Sequence, residues 1–85
     1  MFFVYILYSV SLDRFYIGST SINVVARLQK HLGNHSGYTA KANDWKIVFT
    51  EQYDNKSDAL ARELQLKNWK NKERLKQLIS DATPG

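Results

Sequence analysis

The chain has 85 residues, of which 44% are apolar, 24% charged and none cysteine, with a formal net charge of +4. A chain this short buries only about 60% of its unfolded surface, enough for one core and too little for two, and without cysteine it holds neither a disulfide framework nor a thiolate metal site. This composition excludes a disordered chain and a disulfide-stapled scaffold, and it fits a single globular domain in a reducing, cytoplasmic setting.

The run from Met1 to Val10 is apolar but lacks a basic flank and a small-residue cleavage site, and it is too short to span a bilayer. It reads as a strand, Phe2 to Tyr8, with apolar side chains on both faces, so covering layers are expected on both sides. Ser9 to Arg14 is a polar connection, and Phe15 to Gly18 resumes the strand character, completing a hairpin. Thr20 or Ser21 can cap a helix starting near Ile22, whose Val25, Leu28 and Leu32 recur at helical spacing until Gly33 stops it. Gly33 to Asp44 is small and polar without a period, hence a loop, and Trp45 to Tyr53 reads as the third strand.

Ser57 can cap a second helix, with Ala59, Leu60, Leu64 and Leu66 on one broad arc, running to about Ile79 with a break near Asn71. The expected fold is therefore α+β: a small three-stranded antiparallel sheet flanked by helices, in the order strand, strand, helix, strand, helix. One domain over residues 1–79 is expected, followed by a frayed tail over 80–85.

Charge is unevenly placed. Residues 1–55 carry five Lys/Arg against four Asp/Glu, and residues 56–85 carry seven against four. A basic face suits a polyanion through faster encounter and counterion release, although a solvated lysine-rich helix has the same composition.

Four residues apart on the first helix, Arg27 and His31 share a face, turned away from the Val25, Leu28 and Leu32 stripe. A guanidinium suits a phosphate oxygen and an imidazole moves protons near neutral pH, while two exposed polar residues on an amphipathic helix would look the same. Glu63 falls inside the apolar arc of the second helix. A hard cation such as Mg²⁺, held by one carboxylate with water and phosphate, would account for it, and so would an i,i+4 pair with Lys67.

Tyr5 and Tyr16, each flanked by aliphatics, suit core packing. Near a cation either would lose its proton more easily than the reference value of about 10 indicates, making it a base towards water. Gly18 leaves room for close backbone approach or relaxes the strand end. The sequence has no Gly-rich phosphate loop, HExxH or Ser-His-Asp signature.

Taken in order, FVYIL at 3–7, FYIGST at 15–20, Arg27 with His31, and Glu63 resemble the GIY-YIG nuclease superfamily. Within it, the chain is most similar to the short stand-alone proteins that resemble the N-terminal nuclease domain of excinuclease C. Tyr16-Ile17-Gly18 keeps the second motif intact, whereas Phe3-Val4-Tyr5 keeps the tyrosine of the first but not its glycine. GYTAK at 37–41 and ELQLKNWKNK at 63–72 also look like the short subfamily.

The resemblance implies a metal-dependent endonuclease acting on DNA in repair or recombination. A single Mg²⁺ or Mn²⁺ would sit on Glu63, Arg27 would stabilise charge on the phosphate, and Tyr5 or Tyr16, assisted by His31, would help deprotonate water. Contacts to branched, flapped or single-stranded DNA would come from Gly18, Lys30, Lys41, Lys67, Lys70, Lys72 and Lys76, with Tyr38 or Trp69 free to stack on a base, although a tryptophan also suits the core. Two alternatives stand beside this reading: a nucleic-acid-binding module without turnover, and a nuclease subunit that needs a protein partner or a second copy. No membrane role is expected.

Overall fold

The structure, a computed structural model, describes residues 1–21, 23–33, 42 and 44–82, with side chains for all of these except 30–33. Aromatic and β-branched residues build β1 (Phe2–Ser9), which pairs antiparallel with β2 (Arg14–Thr20). After α1 (Val24–Gly33) the chain returns as β3 (Lys46–Tyr53) on the other side of β1, so the sheet order is β2-β1-β3. Helices α2 (Lys56–Trp69) and α3 (Lys72–Ala82) complete the α+β fold that the sequence implies.

Val4, Tyr5, Ile6 and Leu7 of the central strand are all buried, which requires cover on both faces. Val4 and Ile6 pack with Ile17, Phe49, Ala59, Leu66 and Leu75 beneath α2 and α3. Tyr5 and Leu7 pack with Val24 and Trp45, joined by Tyr16 and Leu28, beneath α1. The register with β3 slips between Ile6–Phe49 and Leu7–Ile47, a bulge at the centre of the sheet.

Helix α1 ends at Gly33 as read in the sequence, but the helix starts differ, because asparagines rather than serines or threonines cap them. Asn23 Oδ1 accepts the Val25 N–H at 2.8 Å, which starts α1 at Val24 and not near Ile22. Helix α1 thereby turns Val24 and Leu28 inward and leaves Val25 exposed. Arg27 lies three residues after Val24, so it is drawn in beside this stripe and not turned away from it.

Asn55, not Ser57, caps α2 by accepting the Asp58 N–H at 2.9 Å. The expected break is real: Lys70 has φ 48° in the left-handed region, and Asn71 Oδ1 then accepts the Arg74 N–H at 3.2 Å to start α3. Helix α3 continues to Ala82, three residues past the expected domain end at 79; residues 83–85 lie outside the described ones.

On α2 the expected arc is corrected. Ala59 and Leu66 are buried, but Leu60 and Leu64 are 40% and 60% exposed. The inward side carries Arg62 and Glu63 instead, because each finds a partner there. Arg62 Nε donates to Glu51 at 2.9 Å, and Glu63 accepts from Ser19.

A tie between the hairpin turn and the start of β3 closes the fold. The buried Ser9 hydroxyl donates to Asp44 Oδ1 at 2.6 Å and accepts the Leu12 N–H at 3.2 Å, while Ser11 N–H donates to Asp44 Oδ2 at 2.8 Å. Ser9→Ala strips both partners and is expected to cost about 1–3 kcal/mol in urea denaturation. The Ser9 and Ser11 donors hold the Asp44 carboxyl below its usual range. Their contribution is therefore present above the unfolded pKa, near 3.9, and fades as pH falls through the lower folded value. The gap between wild type and Ser9→Ala should narrow correspondingly in acid; a gap independent of pH would rule out this tie as its source.

Candidate active site

Alternation along β1 puts Tyr5 on the α1 face, and the register places it opposite Gly18 of β2. Tyr5 is 1% exposed and its ring occupies the space that Gly18 leaves: a Cβ there would stand 2.5 Å from the Tyr5 hydroxyl oxygen and 2.7 Å from Cζ. On that face the room at Gly18 is therefore taken by a side chain of the same domain. Tyr16 lies alongside, its ring centroid 6.4 Å from that of Tyr5 at an interplanar angle of 30°.

Arg27 comes down from α1 and hydrogen-bonds the Tyr5 hydroxyl. Burial pushes the Tyr5 hydroxyl above its ordinary pKa, and the Arg27 hydrogen bond opposes this without overcoming it. Arg27 thus eases loss of the Tyr5 proton, but by less than burial hinders it. The same contact, ahead of the opposing effect of burial, holds the Arg27 guanidinium above its ordinary value. Its Nε–H is buried with no hydrogen-bond partner among the described residues, a donor desolvated without return from them.

Glu63 reaches the site from α2. Its Oε1 accepts from the Ser19 hydroxyl at 2.5 Å and its Oε2 from the Lys67 ammonium at 2.6 Å. Ser19 pairs with Val4 in register and so projects to the α2 face, opposite to Gly18. The two halves of the site therefore meet across the outer strand β2, with Glu63 within electrostatic reach of Tyr5. Of the two explanations for an inward Glu63, the i,i+4 pair with Lys67 is formed.

The donor set decides what a metal could be. Among the described residues no three His, Cys, Asp or Glu side chains converge. A hard cation that takes most of its shell from water and substrate oxygens, with one or two carboxylates, fits this donor set. Glu63 is 14% exposed and already holds an ammonium on Oε2, while the Lys67 side chain is 46% exposed and can be displaced.

The structure thus brings together Tyr5, Tyr16, Gly18, Arg27 and Glu63. His31 follows Arg27 by one turn, but its side chain and that of Lys30 lie outside the described residues, as do Tyr38 and Lys41 altogether. Of the remaining basic candidates, Lys67 is engaged by Glu63, and Lys70 is exposed in the two-residue break between α2 and α3. Lys72 donates to the Asp13 carboxylate at 3.0 Å. Asp13 adjoins the far end of β2, roughly 15–20 Å along the strand from Gly18. Lys76 stands 3.7 Å from Glu73. Trp69 packs against the core with the Arg74 guanidinium 4.1 Å from its ring centre, so the reading of it as a core residue holds. Ser19 escaped the sequence reading; only the sheet register, with Ser19 opposite Val4, points it at α2.

No helix among the described residues is long and apolar enough to cross a membrane. No curated protein and no solved structure matches the chain. A family model described as the GIY-YIG catalytic domain matches residues 1–77, which takes in all three strands, α1, α2 and the first half of α3. The chain belongs to the GIY-YIG family and carries a nuclease-type catalytic domain.

Proposed function

We propose that this chain is a divalent-metal-dependent endonuclease that hydrolyses phosphodiester bonds in branched, flapped or single-stranded DNA, in repair or recombination. The observation that carries the reading is the convergence, across β2, of a guanidinium, two phenols and one oriented carboxylate supplied by separate elements. Glu63 would hold Mg²⁺ or Mn²⁺, which when bound supplies positive charge to the phosphate and acidifies water.

The remaining roles fall to the chain itself. Arg27 binds a non-bridging phosphate oxygen and offsets the charge that develops on it. Tyr5, buried and protonated, fixes the guanidinium. Tyr16 is only partly buried and is the phenol that meets water, so it takes the proton of the attacking molecule, with His31 assisting. Cleavage breaks the bond from phosphorus to the 3′ oxygen, leaving a 3′ hydroxyl and a 5′ phosphate.

One observation favours a rival, a nucleic-acid-binding module or a subunit that needs a partner: Lys67 already neutralises Glu63. Incubating the purified chain with end-labelled flapped, branched, nicked and single-stranded DNA in Mg²⁺ or Mn²⁺, beside an EDTA control, separates the two. Metal-dependent incision is the expected result. Salt-sensitive binding with no product on any substrate transfers the conclusion to the rival.

A further inference from the structure

The end of β2 and the start of α2 enclose a cleft of about 290 Å³. Arg27 and Lys56 line it together with Ser19, Thr20 and Ser21, and no acidic side chain is among its described lining residues. Lys56, the first residue of α2, has no ion-pair partner among the described residues. Two cations and three hydroxyl-bearing residues around a recess with no acidic side chain among its described lining residues are suited to an anion, since phosphate oxygens accept from guanidinium, ammonium and hydroxyl donors alike.

Two residues join this cleft to the candidate active site. Ser19 lines the cleft while its hydroxyl donates to Glu63 Oε1 at 2.5 Å. Arg27 lines the cleft while it hydrogen-bonds Tyr5. An anion here would thus lie next to the group cut under the nuclease reading. The volume is at the lower end for ligand pockets, which begin near roughly 300 Å³, and so suits one phosphodiester with its sugar. Phe2 offers the sugar an apolar wall.

We infer that this cleft is a phosphodiester subsite that binds the backbone phosphate adjacent to the scissile one, through Lys56 and the hydroxyls of Thr20 and Ser21. The inference rests on the nuclease reading, since it takes a nucleic-acid strand to be what crosses the site. Lys56 acts as a positioning residue: it fixes which linkage lies over Glu63, and it takes no part in the chemistry.

The test uses the full chain and a fluorescent oligonucleotide in EDTA, so that binding is read without cutting. Affinity is measured across a salt series for wild type, Lys56→Ala, and Lys46→Ala as a control on a different surface. Lys56→Ala is expected to reduce the magnitude of the log affinity against log salt slope by about 0.7–0.9, the release associated with one phosphate contact. Lys46→Ala should leave the slope unchanged.

A second arm replaces single linkages along the oligonucleotide with neutral methylphosphonates. One position should weaken wild type several-fold and have no further effect on Lys56→Ala. If wild type binds but Lys56→Ala keeps the same slope, or no linkage shows this dependence, the subsite is overturned and the nuclease reading stands. If wild type fails to bind nucleic acid, both fall together.

Discussion

Glu63→Ala is expected to lower kcat by at least about 10²–10³-fold, with little change in stability, because a group that acts on charge developing at the phosphate counts mainly in the transition state. The loss is small because Lys67 is exposed, exposed ion pairs contribute only about 0–1 kcal/mol, and the half-buried Ser19 hydroxyl, left without this acceptor, can turn to water. Glu63→Gln keeps the shape and an acceptor for Ser19 but loses the charge, so it should be nearly as inactive as alanine. Lys67→Ala frees Oε2 and should retain cleavage. Arg27→Lys keeps the charge but loses the planar fork, and it should recover only a small part of what Arg27→Ala loses. Single-turnover cleavage of a labelled substrate at saturating metal measures all five. Glu63→Gln at wild-type rate would remove Glu63 from the chemistry.

Gly18→Ala should damage folding and cleavage together. A methyl group at Gly18 would stand 2.5 Å from the Tyr5 hydroxyl oxygen and 2.7 Å from Cζ, separations that require one of them to move. Tyr5 is on the central strand, fully buried, and cannot swing aside as an exposed side chain would. Overpacking of this kind costs about 1–3 kcal/mol. The displaced phenol also releases Arg27, so kcat should fall at temperatures where the variant is still fully folded.

Tyr5→Phe in the Gly18→Ala background removes the closest atom, and the double variant should recover part of the stability but not the activity. Urea denaturation and cleavage, run on the same preparations, give both readouts. An alanine at Gly18 with unchanged stability would mean that Tyr5 is not seated on this glycine.

What the sequence disclosed follows from which forces act locally. Strand composition from Phe2 to Tyr8 and the alternation of its apolar residues required cover on both sides, and α1 with α2 and α3 supply it. The turn of α1 that carries Arg27 was harder to read, because the choice of cap between Ser21 and Asn23 rotates the helix by a large part of a turn. The leucines of α2 misled for a related reason. Hydrophobicity alone buries Leu60 and Leu64, but β3 presents Glu51 and β2 presents Ser19, and these partners draw Arg62 and Glu63 to the inside. Glu63 within the helical arc was legible. Its Ser19 partner, 44 residues earlier, depends on a strand register that composition does not encode.

The sheet order also shapes how the chain reaches this state. The first strand made is the middle one, and its second neighbour, β3, lies beyond residues 10–45. Until β3 docks, β1 shows an unpaired edge and two apolar faces, the features that let strands of separate molecules associate. Late, long-range closure of this kind also slows folding. The α1 region between hairpin and β3 therefore bears on yield as much as on activity: lengthening it prolongs the interval in which β1 can pair with the wrong partner.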